Sequence, residues 1–150
     1  DERIQALESK LEALSKQDEN CQRLLSIPGI GLLTATALIA AIGDISVFKN
    51  GRELASWIGL VPRQHSTGGK PTLLGISKRG DSYLRTLLIH GGRSVVRTAD
   101  KHKDRKSGWV TELAERRGKN IASVAVANKN ARIAWAVLTH KTRYQVAVAS

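Results

Sequence analysis

Between residues 60 and 80 the sequence gathers the side chains best suited to phosphate chemistry. The run His65-Ser66-Thr67-Gly68-Gly69-Lys70 sets two hydroxyls beside two glycines, and basic side chains flank it at Arg63, Lys70, Lys78, Arg79 and Arg85. Phosphoryl transfer needs a nucleophile in line with a phosphate, with cations and N–H donors holding the phosphate oxygens. Ser66, between Arg63 and Lys70 on a glycine-softened segment, offers those parts. A serine hydroxyl is a weak nucleophile and needs a base, a metal or cationic surroundings to react. His65 is adjacent in sequence, but neighbouring side chains often point apart. The plain alternative is that Ser66 and Thr67 only hydrogen-bond a turn, and composition alone favours that turn.

The remaining polar candidates carry less. Asp44, Glu53 and Asp81 are scattered and suit helix capping, while His90, His102 and His140 show no ligand spacing, so no metal site is expected in this chain. Trp57, Trp109 and Trp135 sit in apolar helical contexts and read as core anchors. Cys21 is the single cysteine, which excludes a disulfide framework and suits a reducing, cytoplasmic location.

Charge says what such a segment would meet. The chain has 24 Lys and Arg against 13 Asp and Glu, a net charge of +11 over 150 residues. Residues 1–50 hold five basic and seven acidic side chains, whereas residues 51–150 hold nineteen and six. A basic body of this kind points to a polyanionic partner. No apolar run reaches the ~18 residues of a membrane span. Methionine is absent altogether, so the sequence reads as a piece of a longer protein.

The elements that must position these residues are helical. Ile4, Leu7, Leu11, Leu14, Cys21 and Leu25 follow a heptad seam with Asp18 skipped, predicting a coiled-coil arm over residues 1–25. A helical domain is expected over 26–150. It begins with Ile27-Pro28-Gly29-Ile30-Gly31, whose proline and glycines end one helix and open another. This element resembles a helix-hairpin-helix, and the helix start at Gly29 and Gly31 is a natural seat for a phosphate. A plain tight turn between core helices is the competing reading.

A short helix is expected from Arg52, ended by Gly59, and residues 60–80 form the longest irregular stretch, with no convincing strand anywhere. A loop of that length is usually functional. Asp81 is a good N-cap for the next helix. Lys78, Ser82, Arg85, Ile89, Arg93 and Arg97 step along one side of it as a basic stripe, while Leu84, Leu87, Leu88, Gly91 and Val95 form its buried face. Gly91-Gly92 should weaken that helix by about 1 kcal/mol per glycine, which a close crossing by another helix would offset. Further helices are expected over 107–117 and 119–141. In the last, Ile121, Val124, Ala125, Ala131, Trp135 and Leu138 make the apolar side. The fold class is therefore all-α.

Four blocks in this order resemble one family. They are Ile27-Pro28-Gly29-Ile30-Gly31, Trp57-Ile58-Gly59-Leu60-Val61-Pro62-Arg63, His65-Ser66-Thr67-Gly68-Gly69-Lys70, and Gly75-Ile76-Ser77-Lys78-Arg79-Gly80-Asp81 followed by Tyr83-Leu84-Arg85-Thr86-Leu87-Leu88. Together they resemble the bridge-RNA-guided insertion-sequence transposases, of the insertion-sequence one-ten type and its one-one-one-one subgroup.

The resemblance implies a coiled coil followed by a C-terminal transposase domain. It also implies DNA and a guide (bridge) RNA as partners, and self-association through the arm. Ser66 falls at the family's serine, which would form a covalent link to a DNA phosphate. Where members often carry a second serine, this sequence has Thr67. Arg63, Lys70, Lys78, Arg79 and Arg85 fall at the family's basic positions. The magnesium-binding acidic quartet would belong to a RuvC-like domain absent from this chain, so the piece alone is expected to bind nucleic acid without recombining it. Three readings stay open: a recombinase half-site using Ser66, a non-catalytic DNA-binding module, and an assembly scaffold.

Overall fold

Asp18 splits the first 25 residues into two helices, α1 (Glu2–Gln17) and α2 (Glu19–Leu25). It sits in extended backbone at φ −104°, ψ 111°, and its carboxylate accepts from the amides of Asn20 and Cys21. That bond pair satisfies donors a helix start leaves open, so the seam is interrupted where an unbroken arm of about seven turns was expected. Ile4, Leu7 and Leu14 on α1 are more than half exposed, while Cys21 and Leu24 on α2 lie in the core.

A computed structural model describes residues 1–67, 70–76 and 80–146, with side chains described outside 62–75. After α2 come α3 (Leu32–Ile42), α4 (Gly51–Ile58), strands β1 (Pro62–Thr67) and β2 (Lys70–Ile76), α5 (Ser82–Thr98), α6 (Arg105–Arg117) and α7 (Lys119–His140). Short 3-10 turns lie at Ile45–Val47 and Ala99–Lys101. The all-α class holds: among the described residues every buried side chain of the main core lies on a helix or a turn beside one. None of these helices is long and apolar enough to cross a membrane.

The segment expected to be irregular is instead a two-stranded antiparallel hairpin, pairing Pro62 with Ile76, Ser66 with Pro71 and Thr67 with Lys70. Backbone pairing satisfies the amides and carbonyls that a 20-residue loop would leave to water. Pro62 and Pro71 hid it, since proline removes a ladder donor and argues against a strand except at edges. A two-stranded ribbon has only edges. Its register shifts between Pro62 and Gln64, an irregularity of the bulge type. The root is set in the core by buried Leu60 and by Val61 and Ile76 packed against it. The Asn128 amide also donates to the Leu60 carbonyl at 2.9 Å.

Around α7 the core closes. Ala122, Val126, Ala127, Ala131, Ala134, Val137 and Leu138 are buried, and small side chains on this face let α5 and α4 lie close. The apolar side read from sequence was out of phase at its start, for Ile121 is 47% exposed. The alanines decide the phase because their burial permits approach, a cue that larger side chains mask.

The glycine pair in α5 has the expected compensation. A Cβ on Gly92 would collide with the Ser123 carbonyl of α7, and one on Gly91 with the Gly29 carbonyl of the α2–α3 turn. One face of α5 thus seats a helix and a turn at backbone distance. Trp57 departs from its expected role: it is 40% exposed, with its ring 5.4 Å from that of Phe48. Trp135 does anchor the core, donating from Nε1 to the Phe48 carbonyl at 3.0 Å.

Candidate nucleic-acid interface

The α2–α3 turn is held from three sides. Gly29, at φ +98°, adopts a backbone that favours glycine, and a Cβ there would lie 2.8 Å from Asn130 Nδ2 and 2.9 Å from Val95 Cγ2. Asn130, fully buried on α7, donates to the Pro28 carbonyl at 2.9 Å. Its Oδ1 accepts from Lys106 Nζ at 2.6 Å. The Lys106 ammonium lies 5.3 Å from the Tyr144 ring centroid, and the Tyr144 amide donates to Ser26 Oγ at 2.8 Å. Burial pushes the Lys106 ammonium down to about 8, helped by the nearby charge of Lys129 and opposed by Asp104.

The two glycines predicted to meet a phosphate therefore differ. Gly29 is packed beneath α5 and α7. Gly31 is exposed, with nothing within 4 Å of an added Cβ. It is the N-cap of α3 and no side chain caps that helix, so the first amides of α3 are open to an acceptor. Gly29, Gly31, Thr34, His90 and Ser94 are among the residues lining a shallow cleft of about 620 Å³ between this helix start and α5.

The basic stripe on α5 is divided. Asp81 caps the helix as predicted, accepting from the amides of Tyr83 and Leu84. Arg85 is half-buried and turned inward, with one guanidinium nitrogen 3.2 Å from the Ile58 carbonyl it donates to. Ile89 packs against the core. Arg93 and Arg97 are exposed on later turns. Neither α3, α5 nor the turn at 26–31 contains an acidic residue, so these surfaces carry no carboxylate of their own.

Ser66 lies on β1 with Pro71 across from it, Lys70 begins β2 opposite Thr67, and Arg63 lies within the register shift. Their side chains, and Lys78 and Arg79 entirely, lie outside the described residues. The expected grouping of Arg63, Lys70, Lys78 and Arg79 around Ser66 is therefore a matter of sequence and backbone order alone. Among the described residues no group of three or more His, Cys, Asp or Glu comes together. They offer no seat that would fit magnesium.

Asn130 and Lys106 were missed at the sequence level. A lone asparagine on an alanine-rich helix face is the usable signal, because a buried amide must find partners. Its particular partners, 102 and 24 residues away, have no local trace. Cys21 behaves as the small core residue expected, its thiol pushed up by burial and by Asp18.

Comparison with known proteins bears on what this surface meets. Residues 21–107 match the model of the Transposase IS116/IS110/IS902 family. The chain is 54% identical over 145 residues to the transposase for insertion sequence element IS1111A of Coxiella burnetii, covering 97% of this chain and 40% of that protein. It is 52% identical over 143 residues to a probable family 20 transposase of Pseudomonas aeruginosa, covering 95% of this chain and 42% of that protein. A pilin gene-inverting protein of Moraxella bovis is 44% identical over 69 residues, 44% of this chain and 21% of that protein. The chain thus spans about two-fifths of the length of the full transposases it matches.

Proposed function

The chain belongs to the IS116/IS110/IS902 transposase family, and from that premise we propose that it is the serine-bearing, DNA-handling part of a transposase or recombinase. The observation that carries this reading is likeness along nearly the whole chain to proteins named transposases. The blocks around Ser66 lie inside the matched span. In the proposed reaction Ser66 Oγ attacks a DNA phosphorus. A serine–phosphate ester bond forms, one strand P–O bond breaks, and the departing sugar oxygen takes a proton. A strand hydroxyl then displaces the serine, so exchange is balanced in bonds.

Arg63, Lys70, Lys78, Arg79, Arg93 and Arg97 neutralise phosphates in this reading, Arg85 being turned inward to the Ile58 carbonyl, and Gly31 offers open backbone at a helix start. Gly29 contributes by holding the turn. Guide RNA shares the basic surface with DNA and chooses the sequence by pairing, so base-edge readout by this chain is not required. Magnesium belongs to the remainder of the full-length protein, and no step here passes through it. The exposed apolar row of α1 pairs with a second copy. The chain alone binds DNA without recombining it.

Replacing Ser66 by alanine in the full-length protein tests the chemistry. Loss of strand exchange with DNA affinity retained is the expected result. Unchanged exchange would leave a non-catalytic helical DNA-binding module as the correct reading.

A further inference from the structure

Only three residues separate the end of α4 from the start of β1, and three carbonyls at this join meet distant parts of the chain. Gly59 takes left-handed backbone at φ +88°, and the Leu60 amide bonds back to the Ala55 carbonyl at 3.0 Å. The chain therefore turns out of the helix in one fixed direction. The Ile58 carbonyl accepts from Arg85 Nη1 of α5 at 3.2 Å, and the Leu60 carbonyl accepts from Asn128 Nδ2 of α7 at 2.9 Å. On the returning side Gly80, at φ +97°, lies so near the Trp57 carbonyl that a Cβ would collide with it.

The residues that own the two accepting carbonyls are buried, Ile58 at 0% and Leu60 at 1% exposed. The last carbonyls of a helix have no partner inside it, and an unpaired one away from water is costly. A cation is also favoured at a helix C-terminus by the aligned peptide dipoles. Arg85 is placed there, while exposed Arg93 and Arg97 lie about two and three turns further along the same helix. One bond would leave the root free to swing about it. Two donors from two different helices, on carbonyls two residues apart, hold it in a single orientation.

We propose that Arg85 and Asn128 are positioning residues for the Ser66 hairpin, setting its direction relative to the exposed cations of α5 through the Ile58 and Leu60 carbonyls. This rests on the serine reading above. Neither side chain touches DNA in this role; each acts through the backbone from which β1 springs. An in-line attack depends on such aim, because a displacement of about 1 Å costs on the order of 10²-fold in rate. Arg85 thus governs the rate of reaction, and Arg93 and Arg97 govern affinity.

Arg85→Met, Asn128→Leu and Asn128→Asp, each made in the full-length protein, provide the test. Single-turnover formation of the covalent protein–DNA adduct gives the rate, and fluorescence anisotropy on the same labelled duplex across a salt series gives the affinity. Arg85→Met and Asn128→Leu are expected to slow adduct formation by about tenfold or more. Duplex affinity should stay within about twofold of the parent, with the log–log salt slope unchanged. Asn128→Asp keeps the outline of the side chain and turns its donor into an acceptor. Its rate, taken relative to the parent at each pH, should recover as pH falls and the carboxyl gains a proton to donate to the Leu60 carbonyl. Loss of fold stability alone gives no such recovery.

Weaker affinity and a salt slope shallower by about 0.9 in Arg85→Met would return Arg85 to the phosphate contacts and overturn its part. Parent-like rates in variants that urea melts show to be folded, with Ser66→Ala forming no adduct, would overturn the positioning role and leave the serine reading standing. Should Arg85→Met or Asn128→Leu fail to fold, the pH ratio of Asn128→Asp decides: a rising ratio upholds the role and a flat one overturns it. An adduct that persists in Ser66→Ala would remove the serine reading and this one with it.

Discussion

α1 and α2 carry the same apolar repeat and meet opposite fates. On α1, Ile4, Leu7 and Leu14 are 56%, 62% and 58% exposed and Leu11 is half-buried, whereas on α2 Cys21 is 1% exposed and Leu25 is half-buried against the core. Nothing in the spacing separates them. The difference lies just beyond α2, where the turn is gripped by α5 and α7 through Gly91 and Asn130. A helix continuous with a gripped turn is drawn into the core. One cut off from that turn by the extended cap residue Asp18 leaves Ile4, Leu7 and Leu14 in solvent. Periodicity declares that a helix has an apolar face, and tertiary attachment decides what covers it.

The sharpest way to break the contrast is to loosen the grip. Gly91→Ala drives a Cβ into the Gly29 carbonyl. It should cost about 3 kcal/mol or more, at the upper end for overpacking against backbone. Urea melts read the loss, and a parent-like midpoint would mean the turn is not held by α5.

Lys106 tests the other jaw. Its ammonium is pushed from 10.5 down to about 8 by burial. Between those values the unfolded chain keeps a proton the folded chain has released, so this group's contribution to stability rises with pH across that window. Burial raises the Cys21 thiol and the Tyr144 phenol, and both oppose the trend as they ionise first in the unfolded chain. The difference between the parent and Lys106→Met isolates the lysine. It should move by about 2 kcal/mol in the parent's favour from pH 7.5 to 10; a constant difference would refute the burial effect.

Asp18→Ala removes the cap that separates the two helices and should cost about 1 kcal/mol. If α1 and α2 then fuse into one straight helix at no cost, the break is not of the cap's making. Smallest of all, deleting residues 1–10, all exposed, should change stability by under about 0.5 kcal/mol. Light scattering on the same variant reads whether the exposed row pairs two copies; unchanged stoichiometry would remove that role.

Helix starts and stops were legible because their signals are local. Asp81 caps α5, Gly59 ends α4 in a left-handed conformation, and Gly43 stops α3. The need for a close approach at Gly91-Gly92 was legible too, though its partners were not. The hairpin at 62–76 stayed hidden because its prolines and glycines carry turn signals, and the ribbon's pairing is made along the chain with no hydrophobic alternation to mark it. In the candidate site, the open helix start at Gly31 was readable from Pro28 and the glycines. Asn130 and Lys106 were not, since a polar residue's importance there depends on what folds over it. Arg85, read as one of a row with Arg93 and Arg97, turns inward to the Ile58 carbonyl, a choice no spacing records.

The bonds that hold the α2–α3 turn reach far along the chain: Asn130 to Pro28 spans 102 residues and Tyr144 to Ser26 spans 118. A polypeptide growing from its N-terminus therefore carries α2 and α3 with their clasp still unmade while about a hundred further residues are added. The α7 side of the grip closes only once α7 has left the ribosome, so chains truncated before α7 have the signature motifs with the turn unclasped on that side.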